Sequence, residues 1–343
     1  MNSHSGVLWE LLETLIGAER ADRLFRALVI HPTLSSDSGP RVSRAVLAQA
    51  LNMILFEDLL ERVPAAEQYV QRCLDQNGTV MHDHGAVRTV ALDGMGSLPA
   101  GQEAITRVLR PLGYTLNGTY PLERLRMTGR SYAQADYPED IAQFFISELH
   151  PERFSSSFQE AVLRVTGQSK DPVTPEASAL LQKLETEGSL SVEDSAKLLA
   201  VLVRVFDRQH PEPTLLDYEV LLAESPEMAW ISTEGNAFNH ATDRVADVDQ
   251  LSAEQKALKQ PIKEVVEKSQ SGRVRQTAFH AARVQRNFRG ADGKMIAKEV
   301  PGSFYEFITR LPMPEEKDGK RKLDLSFDSS NAQAIFKMTA NSK

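Results

Sequence analysis

His82, Asp83 and His84 stand at the head of an apolar, β-branched run, His84–Leu92 (HGAVRTVAL), which ends at the turn signal Asp93-Gly94. In a strand alternate side chains share a face, so His82, His84, Ala86 and Arg88 are expected on one side, with Val87, Thr89 and Ala91 on the other. An imidazole and a guanidinium four residues apart on one face suit a metal ion and an anion bound beside it. The same residues also read as a polar strand end, with a surface histidine and an exposed arginine. Glu306 lies in Phe304–Ile308 (FYEFI), where a carboxylate is costly unless paired or metal-bound. To face water from an edge strand instead, it would need Phe304 and Ile308 to face water too. His240 sits among small and polar residues, Asn236–Thr242 (NAFNHAT). His280, in a strand pattern, and His210, before Pro211 in a linker-like stretch, are its rivals. Two imidazoles and one carboxylate suit divalent iron with open coordination positions.

Other chemistries lack their signatures. No phosphate-binding G-x-x-x-x-G-K-[ST] run, no G-x-S-x-G elbow and no H-E-x-x-H pair is written in the chain. Gly94-Met95-Gly96 meets Pro99 where a dinucleotide fingerprint wants its third glycine, and reads as a turn. The one cysteine, Cys73, excludes an intrachain disulfide and a zinc site built on several thiolates; it is expected to be structural, in a reducing compartment. A formal charge of −8 leaves no electrostatic footprint for nucleic acid, so positive charge that binds an anion must be local. No signal peptide and no membrane-length apolar run is seen, and cytoplasm is the expected location.

The elements that must position these residues follow from periodicity. At 343 residues, about two packed units are expected. Residues 1–80 read as a helical segment, with amphipathic helices over 7–29 (Leu8, Leu11, Leu12, Leu15) and 42–63 (Leu47, Leu51, Ile54, Leu55). Residues 81–154 read as a β-α-β-β-β module: the His84–Leu92 strand, a helix over Gly101–Leu112, one or two strands over Tyr114–Met127, and a strand over Ile141–Leu149. Residues 155–228 read as a helical insertion, with a helix start at Thr174-Pro175 and a capping box at Ser191 and Asp194. Residues 229–312 repeat the element order, with strands over Trp230–Thr242, Gly272–Val284 and Val300–Leu311 and a helix after Ser252. No residue-level repeat accompanies it. The charged tail, 313–343, is expected to cover the surface. The fold class is α+β, two β-α-β-β-β modules with helical additions.

Together, His84-Gly-Ala-Val-Arg88-Thr, Asn239-His240-Ala-Thr and Val300-Pro-Gly-Ser-Phe-Tyr-Glu306-Phe resemble the 2-oxoadipate dioxygenase/decarboxylase family, over the chain from about the first helix to residue 311. The resemblance implies a vicinal-oxygen-chelate, glyoxalase-like fold whose two modules form a cup around a metal. It implies Fe(II) held by His84, His240 and Glu306, with Arg88 as the substrate arginine. Gln276 and Arg275 are further substrate-binding candidates, and strand parity puts only one of them inside. The implied partners are a small dianionic 2-oxo acid and O2. The implied reaction takes 2-oxoadipate and O2 to 2-hydroxyglutarate and CO2, in lysine degradation, with atoms balanced without a co-substrate. Several bacterial members are longer at the C-terminus, so substrate contacts made there are expected to be missing or replaced here. Two alternatives stand: a glyoxalase-type isomerase or hydrolase using zinc or nickel, and a non-enzymatic binding module built on the helices at 7–63 and 155–228. Nothing in the sequence specifies an oligomeric state.

Overall fold

A computed structural model describes residues 5–317 and 320–328. The helix expected over 7–29 is two, α1 (Val7–Ile16) and α2 (Ala18–Ala27), because Gly17 takes φ +84° and ψ 157°, a conformation no helix interior accepts. A short α3 (Pro32–Ser35) and strand β1 (Arg41–Ser43) lead to α4 (Arg44–Arg62), whose first turn is capped by the Ser43 hydroxyl accepting from the Val46 amide. Helix α4 is buried without a break from Ala45 to Glu57, so it is a core helix rather than a surface one. Helix α5 (Pro64–Asp75) follows, with proline at its first position.

The first module is β2 (His82–Val90), α6 (Glu103–Leu109), β3 (Tyr114–Leu122), β4 (Met127–Gln134) and β5 (Gln143–Leu149). The helical stretch then runs α7 (Ser156–Thr166), α8 (Pro175–Glu187), a short β6 (Ser189–Ser191), α9 (Val192–Arg204) and α10 (Leu215–Glu224). Thr174 and Ser191 cap α8 and α9 as expected. Strand β6 pairs antiparallel with β1, which ties this stretch to the N-terminal helices. The strand expected over Trp230–Thr242 is corrected. Helix α11 (Pro226–Glu234) occupies its first half, opened by the Ser225 cap and Pro226 and closed by Gly235 at φ +66°.

The second module is β7 (His240–Arg244), α12 (Val248–Ala257), β8 (Glu267–Lys268), β9 (Val274–Ala278) and, after an inserted hairpin of β10 (Arg283–Arg289) and β11 (Met295–Pro301), β12 (Phe304–Arg310). A hairpin of β13 (Pro312–Lys317) and β14 (Lys320–Leu323) follows. Eight strands form one curled half-barrel sheet in the order β3-β4-β5-β2-β7-β12-β9-β8. Strand β2 lies parallel to β5, β7 parallel to β12, and β2 meets β7 antiparallel at the centre. The central register, His84 opposite Thr242 and Ala86 opposite His240, is what a two-fold exchange of the modules produces. That exchange takes His84 to His240 and Arg88 to Arg244. It also takes Glu306, opposite Thr242, to Phe145, opposite Ala86. The N-terminal helices, α8 and α9 pack with Val87, Phe144, Ala241, Tyr305 and Phe307 on one face of the sheet. Helices α7, α10 and α11 pack with Ala86, Val90 and Phe145 on the concave face.

Candidate metal centre

The start of β2 carries a bulge between His82 and His84. It overturns the expectation that these two histidines share a face. His82 pairs with Asp243 and turns to the helical side, buried against Phe56 and Phe238. His84 turns into the cup. Asp83, the extra residue, accepts from His84 Nδ1 at 2.8 Å, Arg244 Nε at 2.8 Å and Arg310 Nη2 at 2.9 Å, all three partners largely buried. Burial works to raise the Asp83 carboxyl, but Arg310, the His84 hydrogen bond and Arg244 outweigh it and hold the group well below the usual carboxylate range. An ionised Asp83 fixes the His84 proton on Nδ1 and leaves Nε2 as the lone pair facing the cup, 3.1 Å from the Thr242 hydroxyl.

His240 is set the same way by a neutral group. Its Nδ1 donates to the Asn239 side-chain carbonyl at 3.2 Å, and its Nε2 lies 3.4 Å from Glu306 Oε2. Arg62, at the end of α4, donates to the Phe238 carbonyl and to Ser303 Oγ, and so clamps the leading ends of β7 and β12 together. One ligand atom from each of His84, His240 and Glu306 lies within 4.8 Å of the others, and all three residues are buried. Bonds of ~2.1 Å to a common ion at near-right angles place donors ~3 Å apart, so the group fits a metal ion with little movement. The electrostatics agree. Burial first, then His84 and Arg88, holds the His240 ring well below its ordinary value; burial also lowers His84, and both rings are neutral. Burial, then Glu267, pushes Glu306 well above its ordinary value. A dication reverses that penalty, while neutral imidazoles are already in ligating form.

The cavity over this group is lined by Ala86, Arg88, Phe145, Ser147, Asn239 and Gln276, with Phe327 and Asp328 arriving from the tail. Its open interior is about 20 Å³, enough to seat a water molecule. Arg88 is buried with its Cζ 4.9 Å from the Trp230 ring centre; burial, opposed by Glu227, lowers it to about 10, so it stays a cation at neutral pH. Its symmetry mate Arg244 is engaged by Asp83 instead. Gln276 lies inside. Arg275 is corrected: it sits on the opposite face of β9 and pairs with Asp249 at 2.8 Å, away from the cavity. His280 is exposed beyond β9, and both ring nitrogens of buried His210 meet backbone carbonyls of Pro211 and Ile231. The tail is not confined to the surface, since Phe327 and Asp328 reach the cavity; residues 329–343 lie outside the described part. Sequence reasoning missed Asn239, whose buried Nδ2 has no hydrogen-bond partner among the described residues, although it adjoins His240. It also missed Phe145, Ser147 and Phe327, which only the pairing of distant strands brings to the cup.

Two facing β-α-β-β-β modules with a buried two-histidine, one-glutamate group in their shared cup define the vicinal-oxygen-chelate, or glyoxalase-like, class. The sequence model of the 2-oxoadipate dioxygenase/decarboxylase family matches residues 50–338, and the chain belongs to that family. A chloroplastic/amyloplastic 2-oxoadipate dioxygenase/decarboxylase of Oryza sativa subsp. japonica is 24% identical over 310 residues, 82% of this chain and 76% of that protein. Among solved structures, a glyoxalase-superfamily protein from Ralstonia eutropha JMP134 is 55% identical with a TM-score of 0.89, over 94% of this chain and 98% of that one. Hydroxyglutarate synthase from Oryza sativa, solved with 2-oxoadipate, shares the fold at 21% identity and a TM-score of 0.61, over 89% and 97% of the two chains. Among the described residues no helix is long and apolar enough to cross a membrane.

Proposed function

We propose that the chain is a cytoplasmic iron(II)-dependent dioxygenase/decarboxylase that converts 2-oxoadipate and O2 to 2-hydroxyglutarate and CO2, as a step of lysine degradation. His84, His240 and Glu306 are its metal ligands; Arg88 and Gln276 hold the substrate. The observation that carries this reading is the buried triad itself: two neutral imidazoles with anchored Nδ1 protons and a carboxylate that burial penalises, all converging within 4.8 Å. When bound, iron(II) supplies the chelation of the 2-oxo acid and the activation of O2.

The chain's own residues do the rest. Asp83 and Asn239 keep the two Nε2 lone pairs aimed at one point. Arg88 neutralises a substrate carboxylate as a planar fork in a dry site, where a charge-assisted pair is strong. Asn239 Nδ2 and Gln276 offer further donors toward the cavity. Phe145, Ala86 and Phe327 keep water from the reacting atoms.

The test is oxygen uptake by the iron-loaded protein with 2-oxoadipate, beside metal analysis and quantitation of CO2 and 2-hydroxyglutarate. One CO2 and one hydroxy acid per O2 are expected. Turnover without oxygen uptake, with zinc or nickel in the site, would move the assignment to an isomerase or hydrolase. A protein that takes up no metal would be a binding module.

A further inference from the structure

We propose that residues Asp324–Asp328 are a strap that gates the cavity, and that Phe327 on it is the residue that sets which 2-oxo acids are admitted. The proposal rests on the reading of the site as a 2-oxo acid binder.

The strap follows β14 and runs from the second module across the cup to the first, in no regular secondary structure. Its fastenings come from both halves. Arg310, at the end of β12, donates Nη1 to the carbonyls of Asp324 and Ser326 at 2.9 and 2.8 Å. The Leu325 carbonyl accepts from Asn117 on β3 and Gln143 on β5, at 3.2 and 3.3 Å. The Phe327 amide donates to the Tyr120 hydroxyl at 3.1 Å. These are mostly side-chain fastenings without a strand ladder, and such segments open locally at low free-energy cost.

The apolar anchor is Phe327. Its ring centre lies 4.8 Å from that of His84 and 4.9 Å from that of Phe145, with the Arg310 guanidinium 4.8 Å above it. Phe145 holds the place that the two-fold exchange assigns to Glu306, so Phe327 packs over the quadrant of the cup that lacks a ligand. That quadrant is where a chelating acid would lie. With the ring in place, the water-accessible space of the cavity is about 20 Å³, so an incoming 2-oxo acid would press on the ring and move it. Once moved, the ring becomes the wall against which the substrate chain ends. Asp328 adds direction: it lines the cavity with its carboxylate held by the Gln270 amide, and its negative charge disfavours a substrate carboxylate at the strap end and favours pairing with Arg88. Arg310 grips the strap and Asp83 at once, so strap position and His84 orientation share one guanidinium.

The experiment uses the full chain and its Phe327→Ala and Phe327→Leu variants, iron-loaded under anaerobic conditions. Calorimetry measures the affinity for 2-oxoglutarate, 2-oxoadipate and 2-oxopimelate, which differ by one methylene each. Removing the ring is expected to shift the preference for the longest over the shortest acid by about tenfold or more, with Leu between Ala and the parent and iron content unchanged. The same affinity factor on all three acids, or no change, overturns Phe327 as the specificity residue. A second measurement follows metal loss to a chelator without any acid present. Phe327→Ala is expected to release metal several-fold faster, and a rate equal to the parent's overturns the gate. Should the parent bind none of the three acids, it is the 2-oxo acid reading that fails, and the chelator rates still decide for or against the gate.

Discussion

His84 and His240 are aimed by unlike partners, the first by an ionised carboxylate at 2.8 Å and the second by a neutral amide at 3.2 Å. On the proposed function, His84, His240 and Glu306 hold metal, Arg88 holds substrate, and Cys73 on α5 holds neither, and substitution separates these roles. His84→Ala, His240→Ala and Glu306→Ala should each lose iron and turnover while staying folded, and a variant that keeps the parent's iron content is not missing a ligand. Arg88→Ala should keep its iron and lose catalytic efficiency, because a buried carboxylate is left without its cation. Truncating one partner of such a pair costs ~2–5 kcal/mol, or roughly 30- to 5,000-fold. Arg88→Lys should restore only part, since an ammonium lacks the planar fork. Iron content beside steady-state kinetics on 2-oxoadipate decides both, and loss of iron in Arg88→Ala would make the arginine a support of the metal site instead. Cys73 is half-buried on α5, where burial raises its thiol, and Cys73→Ser should turn over within a few-fold of the parent.

At the scale of elements, β2 is wedged between the cup and the helices. A Cβ on Gly85 would fall 2.2 Å from Cζ of the Phe238 ring, which is itself fully buried. Gly85→Ala should therefore cost ~1–3 kcal/mol of stability without touching a ligand, and a denaturant midpoint equal to the parent's would show that the ring has room to yield. On β7, burial raises Asp243 from 3.8 to about 7, against the hydrogen bonds from the Tyr69 hydroxyl and the Met81 amide. The folded protein then keeps this proton to higher pH than the unfolded chain, so stability contributed by the neutral form is lost as pH rises from roughly 4 to 7. Asp243→Asn cannot titrate, and its unfolding free energy relative to the parent should climb across that window; a constant difference from pH 4 to 8 refutes the assignment. The elements that the sequence revealed are those with local signals, such as the β-branched run at His84 and the caps Thr174 and Ser191. Helix α11 had such signals in Ser225, Pro226 and Gly235, but the run Trp230–Thr233 reads as strand on its own. The bulge that sends His82 and His84 to opposite faces has no local signal at all, since it arises from pairing with β7. The same holds for the site: residues beside a motif, such as Arg88, were legible, while Phe145 and Phe327 depend on register between strands far apart in the chain.

For the molecule as a whole, two similar halves have been given unequal equipment. Where the second contributes Glu306 the first contributes Phe145, and that difference leaves one side of the centre without a carboxylate. Phe145→Glu should supply a fourth protein ligand, so the variant should bind metal at least as well as the parent yet take up little oxygen. Undiminished oxygen uptake would mean that the open side lies elsewhere. The unequal halves meet along one antiparallel seam, β2 against β7, and the three candidate ligands straddle it: His84 from one bank, His240 and Glu306 from the other. A cation held there is a rivet as well as a reagent. Whatever affinity the folded chain has for it is also cohesion between the halves, about 2.7 kcal/mol when free metal stands at 100 times its dissociation constant. The melting temperature should climb with added iron under anaerobic conditions, and His84→Ala should lose that climb. A chain deprived of its metal would then announce the loss mechanically, as a softer seam, as well as chemically.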